Sequence, residues 1–174
     1  MTRDELEHAI RASCDIAGDT EVWVFGSQAI LGEHRYAPDA LRQSIEVGVA
    51  PKNHPERTDL IDGALGEYSL FHQTHGFYVH GLPIESAVLP EDWKIRTVAV
   101  SGGGREPSTG WCIEGHDLAA SKLAASREED YRFVRTLIVE GLIDPEVLIQ
   151  RVHTLAIASE QREQMTLWIE INSI

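Results

Sequence analysis

Apolar positions along the chain change their period near its middle. Thr2-Arg3-Asp4-Glu5 has the spacing of a capping box, a hydroxyl at the N-cap and a carboxylate three residues on. Leu6, Ile10 and Cys14 follow at intervals of four, beside the small residues Ala9, Ser13 and Ala17. This predicts a helix with one apolar stripe, ending at Gly18. Val22-Trp23-Val24-Phe25 reads as a short buried strand, which Gly26-Ser27 interrupts. Gln28 to Leu31 then predicts a short helix stopped by Gly32. Ser44 to Val49 alternates, with Ile45, Val47 and Val49 on one face and Ser44, Glu46 and Gly48 on the other.

After a loop from Pro51 to Pro55, Glu56 to Glu67 is helical by Leu60, Ile61, Ala64 and Leu65. Phe77 to His80, Trp93 to Val100 and Trp111 to Ile113 are the remaining strand candidates. From His116 onward the period is helical, with helices expected over Asp117–Ser126, Glu128–Glu140, Asp144–Ala156 and Ser159–Ile171. Asp144-Pro145 fits an N-cap followed by proline at N1, and Ser159 reads as another N-cap. The fold class is therefore α/β (α+β): a small mixed sheet flanked by helices, with a C-terminal helical bundle packed on it. Residues 1–114 form the expected α/β core and 115–174 the helical region.

Composition narrows the function classes. At 174 residues the chain is sized for one domain, and 43% apolar residues suffice for one sizeable core. Fifteen basic against 28 acidic side chains give a net charge of −13, spread evenly with no basic tail. That argues against a general nucleic-acid or anionic-membrane binder. No apolar run approaches the roughly 18 residues of a membrane span, and the charged N-terminus is unlike a signal peptide. Cys14 and Cys112 stand far apart without metal-ligand spacing, so reduced buried thiols and a cytoplasmic location are expected.

Four places could carry chemistry. Gly26-Ser27, between a strand and a short helix, would let a phosphate approach the backbone, or is simply a tight turn with Ser27 as its cap. Glu46 could hold a metal or is an ordinary solvent-facing glutamate, and the position two residues on, where a second carboxylate would share its face, is Gly48. Lys122 lies in a largely apolar helix and either reaches a cleft or snorkels to solvent. Arg127 and Asp130, three residues apart and following Lys122, fit a solvated, salt-bridged helix start. The eight histidines form no zinc pattern, His72, His75 and His80 being the nearest cluster, and no GxSxG, Walker A or GxGxxG motif occurs.

The order of these pieces resembles the minimal nucleotidyltransferase fold: apolar strand, Gly26-Ser27, short helix, a strand bearing Glu46, then a later helix with Lys122. The resemblance spans roughly residues 2 to 170 and is carried by Gly26 to Gly32, Ser44-Ile45-Glu46, Ala87 to Pro90 with Trp93, Gly110-Trp111-Cys112, and His116 to Leu123. It points to a group of small bacterial proteins related to the AbiE-like toxins of toxin–antitoxin systems. It implies that Gly26, Ser27, Lys122, Arg127 and Asp130 bind a nucleoside triphosphate. It implies further that Glu46 and Lys122 are catalytic and that Glu46 ligates Mg²⁺ or Mn²⁺. The expected reaction is transfer of a nucleotide to an RNA (tRNA) or protein acceptor. The expected partners are a tRNA or a cognate antitoxin, with the chain a monomer or homodimer. Gly48 departs from the acid-x-acid pattern, which leaves room for a catalytically degenerate member that binds a partner. Asp39 and Glu114 are candidate substitutes for the missing acid. A third reading takes Leu148, Val152, Leu155, Met165, Trp168 and Ile169 as an interaction surface, against their simply covering the sheet.

Overall fold

A computed structural model describes residues 1–174. Helix α1 (Arg3–Ala17) opens on the expected capping box, with Thr2 and Glu5 each accepting from the other's backbone amide, and closes on Gly18 at φ 59. Its buried stripe is the one set by the four-residue spacing: Leu6, Ala9, Ile10, Ser13, Cys14 and Ala17.

That stripe lies on a five-stranded mixed sheet built from β1 (Glu21–Phe25), β2 (Glu46–Pro51), β3 (Tyr78–Gly81), β4 (Val98–Ser101) and β5 (Thr109–Cys112). The strand order is β3-β2-β1-β5-β4. β1 runs antiparallel to β2 and parallel to β5, while β3 is parallel to β2 and β4 antiparallel to β5. Val22, Val24, Val47 and Val49 are fully or almost fully buried on the face that α1 covers. Gly110 lets the helix come close, because a Cβ there would stand 2.5 Å from Ile10 Cδ1. The alternate positions, Trp23 and Phe25 on β1 and Glu46 and Gly48 on β2, belong to the opposite face.

Helix α2 (Thr58–Leu65) follows a 3₁₀ turn at Pro55–Arg57 and packs beside β3, so the expected helix from Glu56 to Glu67 is shorter and begins as 3₁₀. Helix α3 (Leu70–His75), which no apolar period announces, is capped by the Ser69 hydroxyl. The expected strand from Trp93 to Val100 divides. Asp92 turns the chain at φ 58, one helical turn, α4 (Trp93–Arg96), follows, and the strand starts only at Val98. Arg96 holds that turn by donating to the buried Asp117 at 2.8 and 3.0 Å.

Four helices complete the chain: α5 (Gly115–Ala125), α6 (Glu128–Val139), α7 (Pro145–His153) and α8 (Ser159–Asn172). Asp144 caps α7 as expected, but Ser159 is the first residue of α8 rather than its cap, a position Ala158 fills without any side-chain bond. Asp117 pins α5 to its neighbours, since Arg151 of α7 also lies 3.1 Å from its Oδ1. α7 and α8 pack on α5 and on each other. Leu148, Val152, Leu155, Met165 and Ile169 are buried there, and Trp168 packs against them. They are spent inside the molecule, on α5 more than on the sheet, and form no open interaction surface. Core residues from both halves join in one cluster of 38. No helix is long and apolar enough to cross a membrane.

Candidate functional site

The sheet face turned away from α1 ends in a cleft of about 1000 Å³. Gly26, Ser27, Glu46, Lys122, Arg127 and Asp130 all line it, with Phe25, Leu82, Val88, Leu89 and Phe133 among its apolar walls.

Gly26 ends β1 at φ 76 and ψ −179, a backbone region essentially reserved for glycine. Its carbonyl accepts from the Ala29 amide at 3.1 Å and starts a 3₁₀ helix over Ser27–Gly32. Gln28, Ala29, Ile30 and Leu31 are buried and anchor the turn, and Gln28 Nε2 donates to Leu41 O at 3.1 Å. Gly26 takes the cap position and no side chain caps the helix, so Ser27 is not the N-cap. The half-buried Ser27 hydroxyl has no hydrogen-bond partner in the protein and is free for a ligand.

Lys122 and Asp130 come together because α5 stops abruptly. Ser126 adopts a left-handed conformation (φ 59) and its amide bonds back to Lys122 O and Leu123 O, so α6 starts two residues later. Lys122 Nζ then donates to Asp130 Oδ1 at 2.8 Å, and Arg127 Nε donates to Oδ2 at 2.7 Å. The lysine ammonium also stands 4.7 Å from the Phe133 ring centroid. The solvated helix start expected for Arg127 and Asp130 is only half present: the arginine side chain is 63% exposed, but the aspartate is fully buried. Burial works against the Asp130 charge, yet the hydrogen bonds from Arg127 and Lys122 outweigh it and hold the carboxyl below its ordinary range. Asp130 in turn raises Arg127, with Glu129 and Glu46 adding to the effect. Two cations thus share one buried carboxylate at the mouth of the cleft.

Glu46 is engaged on both oxygens. Tyr78 donates its hydroxyl to Oε2 at 2.8 Å, and His80 Nδ1 lies 3.1 Å from Oε1. Burial and then Glu46 push the Tyr78 phenol up to about 12, so it stays a donor. Sequence reading missed both partners. The usable signal was that Tyr78 and His80 are alternate positions of one strand, as Glu46 and Gly48 are of another. The three histidines grouped by spacing scatter instead: His75 packs on His8, His72 on Tyr78, and His80 on Glu46.

The expected Mg²⁺ or Mn²⁺ would find Glu46 as its carboxylate on this face of β2, position 48 being a glycine. No group of three or more His, Cys, Asp or Glu residues gathers anywhere in a form that holds a metal. A Cβ at Gly48 would stand 3.1 Å from Phe25 O and 3.3 Å from the Phe25 ring, so a second carboxylate there requires Phe25 to give by a few tenths of an ångström. Neither proposed substitute lines the cleft. Glu114 caps α5 and bonds His116, while Asp39 pairs with Arg42.

Against known proteins, the model of a family described as a nucleotidyltransferase of unknown function (DUF6036) matches residues 15–173. Searches of curated proteins and of solved structures found no match.

Proposed function

The chain belongs to the DUF6036 nucleotidyltransferases, and from that premise we propose that its cleft binds a nucleoside triphosphate and transfers the nucleotide to an acceptor hydroxyl. The observation that carries this reading is the gathering of an unengaged serine hydroxyl, a glycine-only turn and two cations around one hollow. Lys122 keeps two N–H donors beyond its bond to Asp130, and Arg127 is exposed enough to swing onto a phosphate. Phosphoryl transfer asks chiefly for positioning and for stabilisation of charge on the phosphate oxygens. Ser27 and the Gly26 turn would fix the polyphosphate, while Lys122 and Arg127 would neutralise the departing pyrophosphate. Asp130 would keep both cations in place. Glu46 would be the residue to hold Mg²⁺ or Mn²⁺, in exchange for its bonds to Tyr78 and His80.

A net charge of −13 disfavours a polyanionic acceptor such as tRNA. Titration of each labelled triphosphate into the wild type, Ser27→Ala and Arg127→Ala tests the pocket. Each substitution is expected to weaken binding about tenfold, equivalent to about 1.4 kcal/mol. Unchanged curves for both variants would remove the proposed site.

Phe25 closing on Gly48 favours a second reading, a relative that binds nucleotide or a partner without transferring anything. Transfer of label by the native chain to any acceptor rules that reading out.

A further inference from the structure

Buried polar groups are paired almost without exception, so an orphan among them calls for a partner that the protein does not itself supply. Gln28 holds one. Its side chain is wholly buried, its Nε2 donates to Leu41 O at 3.1 Å, and its Oε1 bonds nothing. No other buried side-chain oxygen is left so, the two further orphans being the Nε of Arg151 and of Arg162. Turning the amide over does not cure it, because the Leu41 carbonyl only accepts and so fixes the NH₂ end. Gln28 lines the cleft one residue on from Ser27 in the 3₁₀ helix, and Leu41 and Ser44 continue the same wall.

On the reading that a triphosphate occupies this cleft, we propose that Gln28 Oε1 accepts a hydrogen bond from a hydroxyl of the nucleotide's sugar. The oxygen accepts only, so its partner brings an N–H or O–H, which ionised phosphates lack. Order along the ligand then selects the sugar. Phosphate, sugar and base follow one another in a nucleotide, and consecutive Cα atoms stand about 3.8 Å apart. A residue adjacent to the one that holds the polyphosphate meets the sugar before the base. The bond to Leu41 O orients the amide before the ligand arrives, so little side-chain freedom is lost on binding. An analogue without the hydroxyl leaves the buried oxygen unpaired and is bound less well. Gln28 thereby gives the cleft a selectivity for the sugar that Ser27, Lys122 and Arg127, assigned to the phosphates, do not supply.

The test titrates the full chain with each ribonucleoside triphosphate and with its 2′-deoxy and 3′-deoxy analogues. Wild type is compared with Gln28→Met, which keeps a side chain of similar length and removes the acceptor. The wild type is expected to bind at least one analogue about tenfold more weakly than the ribonucleotide, and the analogue affected names the hydroxyl. In Gln28→Met that preference is expected to vanish, the ribonucleotide falling to the level of the analogue. Loss of the bond to Leu41 O alone would weaken every ligand alike and leave the preference intact. Thermal unfolding checks that the variant folds, and Gln28→Leu replaces it if it does not. A wild type that binds all three sugars equally overturns the proposal and leaves triphosphate binding standing. So does a folded Gln28 variant that keeps the wild-type preference, or one that loses a preference among bases instead. A wild type that binds no triphosphate fails earlier, at the functional reading itself.

Discussion

The ammonium of Lys122 sits 2.8 Å from Oδ1 of Asp130 across the Ser126 turn, with the lysine side chain 10% exposed and the aspartate not at all. Two of the cations lining the cleft, Lys122 and Arg127, are arranged around that one carboxylate. Removing it strands Lys122 as a nearly buried, unpaired charge, whereas removing the lysine leaves Asp130 still bonded to Arg127.

Asp130→Ala is therefore expected to cost about 3–5 kcal/mol of stability, and Lys122→Ala distinctly less. Urea unfolding of both variants measures the asymmetry. Equal losses would mean that Arg127 does not support the carboxylate.

Acid should separate two buried aspartates by sign. Asp130 is held low, so its contribution is present above the ordinary carboxylate value and is lost as pH falls through its lowered one. Asp117 is the reverse. Burial outweighs Arg96 and Arg151 and raises it, so its contribution is present below the ordinary value and declines as pH climbs through the raised one. Relative to wild type, Asp130→Asn is expected to flatten the fall in melting temperature below about pH 4, and Asp117→Asn the loss just above it. Melting temperatures between about pH 2.5 and 6 read both slopes.

His8 offers a test near neutrality. Its ring lies 4.5 Å from His75 and 5.2 Å from Phe71, centroid to centroid, in a cage completed by Phe77. Burial first, then His75 and Arg11, depress its pKa. The unfolded chain thus takes up the proton first, and stability declines as pH falls below about 6.5. His8→Phe is expected to weaken that decline, read as melting temperature from about pH 5 to 8.

Gly48→Asp restores the acid-x-acid pattern in sequence, against the close wall of Phe25. The added Cβ meets Phe25 O at 3.1 Å, so the variant is expected to lose about 1–3 kcal/mol and to gain no metal-dependent transfer. Denaturant unfolding and transfer assays with Mg²⁺ or chelator read the two outcomes. A stable variant with new metal dependence contradicts the wall at Phe25.

The two thiols should be inert in the native state. Cys14 and Cys112 are free and buried, and burial pushes each up to about 12. A thiol reagent is expected to label neither at neutral pH and both once the chain is unfolded in denaturant.

Much of this was legible in one dimension because it depends on local spacing. The capping box of α1 and the Asp144-Pro145 start of α7 are satisfied by neighbours a few residues away, and the four-residue stripe of α1 and the alternation around Val47 and Val49 are periods written along the chain. The Trp93–Val100 strand divides where a distant partner decides the backbone: Arg96 follows the buried Asp117, not its own β propensity. Chemistry followed the same division. Gly26-Ser27, Glu46, Lys122, Arg127 and Asp130 are written along the chain in an order that resembles one fold. Packing alone buries Asp130 beneath two cations, brings Phe25 against Gly48 and sets His80 beside Glu46. Those relationships join residues on different strands and helices, and their energies depend on burial and direction, which no spacing along the chain encodes.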